Sequence, residues 1–124
     1  MAGTVTVTES SFAGVSKIRW AWTSTAGGAA DKVTVSAYYG EVLALVTIPD
    51  GTAVPTNLYD LTVTDAEGYD VLQAVGADRS STNTETANPT KKTAGFGTLT
   101  LNVTNAGNAK SGVAILYVLG RKVG

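Results

Sequence analysis

Histidine and cysteine are both absent from the 124 residues of this chain. Without histidine the commonest general base and metal ligand is missing, and without cysteine neither a thiol nucleophile nor a disulfide is possible. A serine or threonine nucleophile would then need a lysine, a carboxylate or a free N-terminus as its base, and the sequence shows no such arrangement. We therefore expect a protein that is not an enzyme, carries no cofactor or metal, and acts through its surface.

Charge is scarce as well. Charged residues make up 15% of the chain, against about 25% in typical soluble proteins. Nine basic and ten acidic residues leave a net charge of −1. No field of one sign is available to attract nucleic acid or an anionic membrane, so we expect neither as a partner. A surface made largely of Thr, Ser, Asn and Gly suits burial against other subunits.

Long apolar runs are also missing. The longest, 42–46 and 113–119, are far shorter than the about 20 residues of a membrane-spanning helix. Residues 1–8 have neither the basic nor the apolar region of a signal peptide. These features predict a soluble chain.

What the sequence does have is apolar–polar alternation of period two, which predicts β-strands. Segments such as 49–51, with the sequence Pro-Asp-Gly, separate the strands and predict turns. Residues 42–46 and 113–119 are apolar without a break, so we expect both faces of these two strands to be covered. The apolar positions expected to share one face are Val5 and Val7; Ile18, Trp20 and Trp22; Val33, Val35 and Ala37, against Thr34 and Ser36; and Leu99, Leu101 and Val103.

Two further segments complete the fold prediction. Residues 59–64 and 69–75 flank a four-residue connection and predict a hairpin. Residues 76–97 lose the alternation and predict a long polar loop. With about eight strands and no helical period, we expect one all-β domain over 1–124, an antiparallel two-sheet sandwich of jelly-roll or Greek-key type. An incomplete β-barrel is the alternative.

Carboxylates gathered around the predicted hairpin could supply oxygen ligands for calcium. Their spacing differs from that of an EF-hand loop, and turns favour the same residue types for backbone reasons. We therefore predict no metal site at the four positions, which are Asp60, Asp65, Glu67 and Asp70.

Aromatic side chains could form a platform for sugar. Trp20 and Trp22, however, share the apolar face of their strand with Ile18, which indicates packing in the core. The aromatic set consists of Trp20, Trp22, Tyr38, Tyr39, Tyr59, Tyr69 and Tyr117.

The remaining candidates are contact residues. Each sheet of a sandwich normally has one wet face, so a second apolar face on 42–46 or 113–119 predicts contact between subunits, while burial in the core explains 113–119 equally well. Leu43 and Leu116 represent these two strands. The polar segment 76–97 carries charges of both signs, which suits a patterned protein surface better than a polyanion. Its contact candidates are Arg79, Glu85, Lys91 and Lys92.

Four segments carry a resemblance to a known class of proteins: 57–72 (NLYDLTVTDAEGYDVL), 76–79 (GADR), 83–85 (NTE) and 101–112 (LNVTNAGNAKSG). Together they resemble small virion structural proteins of tailed bacteriophages, and the closest functional class is the capsid decoration, or cement, protein. The resemblance covers the C-terminal half to two-thirds of the chain. It is a likeness in the pattern of strand and turn residues, with a few short sequence segments in common.

The resemblance implies a small, β-rich, cofactor-free protein that is synthesised in the host cytoplasm and located in the virion, on the capsid surface. Its partners would be the major capsid protein and copies of itself, as a trimer or dimer. Binding to the outer face of the capsid lattice would tie neighbouring capsomers together against the pressure of packaged DNA. Two alternatives remain open: a tail or head-fibre structural component, and a β-sandwich carbohydrate-binding module.

Overall fold

The structure, a computed structural model, describes residues 3–120 and 122–123. All regular structure in that part of the chain is β-strand, and no helix there is long or apolar enough to cross a bilayer. The prediction of an all-β protein is therefore confirmed. In chain order the strands are β1 (Thr4–Phe12), β2 (Val15–Thr23), β3 (Ala30–Val33), β4 (Ala37–Pro49), β5 (Asp60–Thr64), β6 (Glu85–Ala87), β7 (Ala94–Gly97), β8 (Thr100–Thr104), β9 (Ser111–Leu119) and β10 (Lys122–Val123).

These strands form two antiparallel sheets. The larger has seven strands, of which β1, β2, β9 and β4 lie side by side in that order. β10 pairs with the first residues of β4 on the same edge as β9, and β6 and β7 pair with the opposite edge of β4. The smaller has three strands in the order β3-β8-β5. The predicted two-sheet sandwich is confirmed, with ten strands in the described residues where about eight were expected.

The first hairpin shows how local sequence sets the register. Ala13 and Gly14 both have positive φ, 53° and 80°, as a two-residue turn of type I′ requires. The turn pairs Phe12 with Val15 and carries the register without interruption to the pair Thr4 and Thr23. Val5 and Val7 consequently face the core side of β1, as the alternation predicted.

The core lies between the two sheets. Trp20 and Trp22 of β2 are buried there, which confirms packing rather than a sugar platform for these two rings. Gly112 of β9 makes room for Trp22, because a Cβ at this glycine would lie 2.6 Å from the indole ring. The smaller sheet contributes the alternating residues of β5 and β8, and the fully buried side chains include Ile18, Leu45, Leu61, Val63, Leu101, Leu116 and Val118.

The prediction for residues 33–37 was wrong, because the buried and exposed faces are exchanged. Val35 is 80% exposed and Val33 is also exposed, whereas Thr34 and Ser36 are buried. The reason is that β3 ends at Val33, and the chain then crosses from the smaller sheet to the larger before β4 begins at Ala37. A crossing segment has no partner strand, so its hydrogen bonds rather than its alternation decide which side chains are buried.

Side chains supply the hydrogen bonds of this crossing. Thr34 Oγ1 donates to the carbonyl of Ser36 at 2.7 Å and accepts from the amide of Leu99 at 3.1 Å. The Glu9 carboxylate accepts from the amides of Val35 and Ser36 at 2.9 and 3.0 Å. The buried polar groups of the crossing are therefore partnered, which makes their burial tolerable.

The predicted hairpin over 59–75 was also wrong. β5 pairs with β8, and residues 69–75 contribute to strand pairing only through the isolated bridge between Thr64 and Asp70. The Asp70 carboxylate accepts from the amides of Val63, Leu72 and Ala74 at 3.3, 3.0 and 2.9 Å. These bonds draw residues 70–76 into consecutive turns along the outer edge of β5 instead of a strand.

The polar segment 76–97 contains two short strands that the sequence did not predict. β6 and β7 have three and four residues, too few to show alternation, yet both pair with β4. They cover an edge of β4 that would otherwise present unpaired amides and carbonyls.

Candidate contact surface

The side of the seven-stranded sheet that faces away from the core is here named the outer face. Its centre is apolar, because β9 presents Val113, Ile115 and Tyr117 there and the neighbouring β4 presents Val46 and Ile48. Ile115, with a strand on either side, is only 7% exposed. β9 thus carries apolar side chains on both sides, one set in the core and one on the outer face.

One end of the outer face exposes large apolar side chains. Phe12 at the first hairpin is 87% exposed, and Leu119 at the end of β9 is also exposed. On the far edge Tyr39 of β4 pairs with Phe96 of β7, and their rings meet edge to face with centroids 4.9 Å apart. Exposed aromatic rings of this kind are typical anchors of protein interfaces.

The charges of the outer face are unevenly placed. Lys17 and Arg19 are exposed on β2, beside Tyr117 and Ile115 of β9. Glu41 lies on the other side of β9, on β4, opposite Leu119. The face therefore carries two cations on the β2 side of its apolar centre and one carboxylate, Glu41, on the β4 side, where Lys92 lines the same depression as Glu41.

The smaller sheet presents a different face to solvent. Its outward positions are mostly polar, with Asp31, Asn102 and Thr62 forming one row across the three strands, and the exposed Val33 is an apolar exception. In the same sheet the Asn102 side-chain amide donates to Thr64 Oγ1 at 3.3 Å. The outer face thus has an apolar centre and exposed aromatic rings at one end, whereas the outward positions of the smaller sheet are mostly hydrophilic.

The two leucines predicted as contact residues lie in different places. Leu116 is fully buried and points into the core, because the alternation of β9 places Ile115 and Tyr117, not Leu116, on the outer face. Leu43 is half-buried at a bulge, where the register of β4 against β9 shifts between Val42 and Ala44. Unbroken apolar runs do not say which side of a strand faces the core, so the sequence could not place either leucine.

Arg79 and Glu85, two of the predicted contact residues, lie close to each other in the same chain. Arg79 Nη1 is 3.7 Å from Glu85 Oε1, and Arg79 Nε donates to the carbonyl of Ala77 at 3.1 Å. The same Glu85 oxygen accepts from the amide of Ser80 at 2.7 Å. The backbone of Arg79 is also bound to Tyr59 by a 2.7 Å hydrogen bond. Both side chains therefore hold the start of the polar segment against the sandwich.

Lys91 and Lys92, the other two predicted contact residues, are exposed just before β7. The Lys91 amide donates to the side chain of Gln73 at 2.9 Å, which fixes the backbone at this point. Lys92 and Glu41 line a shallow depression of about 300 Å³. The structure thus separates the lysines from the pair of Arg79 and Glu85 and places Lys92 beside Glu41 on the β4 side of the outer face.

The carboxylates considered for calcium hold turns. Asp65 accepts from the amides of Glu67 and Tyr69 at 2.9 and 3.1 Å. Asp60 accepts from the amide of Asp78 and from the side chain of Asn105, at 2.9 and 2.6 Å. Residues 3–120 and 122–123 contain no group of three or more potential metal ligands.

Two buried tyrosines have perturbed acidities. Burial, together with a 2.7 Å hydrogen bond that its hydroxyl donates to Glu9, raises the pKa of Tyr38 far above its usual value. Burial also raises the pKa of Tyr59. The hydroxyls of Tyr59 and Thr47 face each other but form no hydrogen bond of ordinary geometry. With Trp20 and Trp22 these rings belong to the core, whereas Tyr39 and Tyr69 are about half exposed.

A second depression, of about 420 Å³, lies at the opposite end of the outer face. Thr4, Thr6, Thr23 and Asp50 line it together with apolar residues that include Ile48, Pro49 and Val113. The Asp50 carboxylate accepts from the amides of Thr52 and Ala53, and these bonds lower its pKa. The alternation of threonine in β1 indicated a polar face but gave no sign of a depression.

No family model, no curated protein and no solved structure matches the chain. The role of the outer face is therefore inferred from its own chemistry. It combines an apolar centre, exposed aromatic rings at one end and charges at its margins, and this combination is typical of protein–protein interfaces.

Proposed function

We propose that the protein is a non-enzymatic virion structural protein of a tailed bacteriophage. In this proposal it acts as a capsid decoration protein bound to the exterior of the major capsid lattice. The resemblance of its sequence to phage virion proteins suggests the class. The observation that carries the proposal is the difference between the two sides of the sandwich, one with an apolar centre and exposed aromatic rings at one end, and the other mostly hydrophilic.

A decoration protein needs such a difference, because one part of its surface is buried against protein while another faces solvent. The polar row of Asp31, Asn102 and Thr62 suits the solvent side. The exposed lysines 91 and 92 stand on the polar segment near the edge of the seven-stranded sheet and suit contact with acidic groups of the capsid. Several copies joined together would bind at high effective concentration, so modest individual contacts would suffice.

The test is binding of the purified protein to capsids of its phage. We expect it to bind expanded capsids, and we expect the double variant Lys91→Glu, Lys92→Glu to lose at least tenfold in affinity, equivalent to about 1.4 kcal/mol. The matched control is Lys32→Glu with Lys110→Glu, the same charge change at positions away from the polar segment, which should bind as the original protein does. Capsids lacking the protein should release DNA at a lower temperature. Unchanged release from such capsids would contradict the proposal.

The two alternatives predict different results. A tail or head-fibre component would be located at the tail or at fibres in a reconstruction of the virion, and capsids would not bind it. A carbohydrate-binding module is favoured only by the exposed pair of Tyr39 and Phe96. It predicts glycan binding that is lost in Tyr39→Ala, whereas the decoration proposal predicts none.

A further inference from the structure

We propose that the outer face is the interface between two copies of this chain, related by a two-fold axis that runs along β9. The inference depends on the geometry of the outer face and does not require that the dimer bind a capsid. It names a partner of defined chemistry, a second copy, and a defined set of contacts.

The size of the face agrees with what a stable dimer needs. Five strand widths lie side by side from β1 to the β6 and β7 edge, and the long strands have nine residues or more. With strands about 4.8 Å apart and a rise of about 3.4 Å per residue, the face measures about 24 by 30 Å, or about 700 Å². A standard interface buries about 800 Å² on each partner. Sheets that pack face to face in this way are common in proteins.

The charges favour this axis. A two-fold axis along β9 places β2 of one copy opposite β4 of the other. Lys17 lies level with Tyr117 of β9, and Glu41 lies level with Leu119, two residues further along. Lys17 of each copy then lies within reach of Glu41 of the other, since two residues along a strand span about 7 Å. Lys17 and Glu41 thus meet twice in each dimer, whereas Arg19, level with Ile115, lies opposite Val46 of the other copy.

The exposed aromatic rings favour the same axis. Phe12 lies at the β1 side of the face in the row of Leu119, while Tyr39 and Phe96 lie at the opposite side, two residues beyond that row. Rotation about β9 brings Phe12 of one copy against Tyr39 and Phe96 of the other. The most exposed large side chains of this face are then buried together.

The other in-plane axis, perpendicular to the strands, gives a worse match. It would place the apolar end with Phe12 and Phe96 over the opposite end of the second copy. There the depression is lined by Thr4, Thr23 and Asp50, together with apolar residues that include Ile48, Pro49 and Val113. A carboxylate buried against aromatic rings is unfavourable, so the axis along β9 is preferred.

The first experiment measures the mass and the dissociation constant of the full chain in solution by analytical ultracentrifugation. We expect a dimer. Lys17→Glu and Glu41→Lys, made separately, should each weaken it at least tenfold, because each places two pairs of like charges at the interface. The double variant Lys17→Glu, Glu41→Lys should restore the dissociation constant to within threefold of the original. Lys32→Glu, on β3 outside the face, is the control and should change nothing.

The second experiment is a cross-link at the axis. The chain has no cysteine, so an introduced cysteine is the only thiol that can react. Val113 of β9 lies beside the axis, so Val113→Cys should join to its copy with a short bis-maleimide. Thr62→Cys, on the smaller sheet, should not. Three results would each overturn the proposal. The first is a monomer or a trimer in solution, and the second is a dimer whose dissociation constant neither charge change alters. The third is a dimer that both single variants weaken and the double variant does not restore. Thermal melting of every variant separates loss of pairing from loss of fold.

Discussion

At the scale of single residues, Glu9 does more for the fold than its place in a strand suggests. Its carboxylate binds two amides of the crossing 34–36 and the hydroxyl of Tyr38, and so connects β1 with the chain segment that joins the two sheets. A hydrogen bond to a charged group contributes about 1.5 to 3 kcal/mol to the free energy of unfolding, and the contributions of several such bonds do not simply add.

Glu9→Ala should therefore destabilise the protein by about 2 to 4 kcal/mol, because two amides and a buried hydroxyl lose their acceptor. Urea unfolding followed by tryptophan fluorescence measures the change. Glu67→Ala, an exposed turn residue, is the control and should stay within about 0.5 kcal/mol of the original. A loss of less than about 1 kcal/mol at Glu9 would mean that solvent replaces the carboxylate at the crossing.

The residue scale also shows where sequence patterns succeed and fail. Ile18, Trp20 and Trp22 were placed correctly, because they lie in a strand with a partner on each side, where alternation governs burial. Val35 was placed wrongly, because the acceptors that decide its conformation come from Glu9, far away in the sequence. Alternation cannot reveal a side-chain hydrogen bond formed across the fold.

At the scale of elements, the polar segment 76–97 acts as part of the seven-stranded sheet. β6 and β7 pair with β4 between Tyr38 and Thr47, along a strand rich in valine and leucine. The strands β6 and β7 were missed in the sequence because they are too short for a pattern. The contact candidates in the same segment were recognised by charge alone, which could not show that Arg79 and Glu85 lie next to each other.

Replacement of 77–97 by a Gly-Ser linker should cause aggregation, because it leaves this edge of β4 unpaired and apolar. Light scattering and thioflavin fluorescence at increasing protein concentration would follow it. Replacement of 88–92 alone, which lies between β6 and β7, is the matched control and should leave a soluble, folded protein. If the larger replacement is equally soluble, the edge of β4 is protected by something other than β6 and β7.

At the scale of the whole molecule, the lack of histidine and cysteine shapes the dependence of stability on pH. Between about pH 6 and 9 few groups titrate in such a chain, so stability should vary little. Above this range Tyr38 and Tyr59 become important, because burial raises the pKa of both.

The sign of the alkaline effect follows from these shifts. The unfolded chain releases the two phenolic protons near pH 10, whereas the folded protein retains them, so rising pH favours unfolding. Stability should be complete below about pH 10 and fall above it, by as much as about 1.4 kcal/mol per pH unit for each tyrosine. Thermal melts from about pH 7 to 11.5 test this. Tyr38→Phe should reduce the slope, because it removes one of the two buried phenols. An equal slope in Tyr38→Phe would show that folding does not raise the pKa of Tyr38.

The position of β9 in its sheet has a consequence for synthesis. β9 lies between β2 and β4, so the strand made after residue 110 fills the gap between two strands made long before it. While the ribosome is still translating that region, β2 and β4 have no common partner, and the seven-stranded sheet cannot close. A chain released early would expose the unpaired edges of two apolar strands instead of a complete sheet. It would be bound by chaperones or degraded by proteases. Any assembly that takes up the protein after translation would therefore receive chains that include β9.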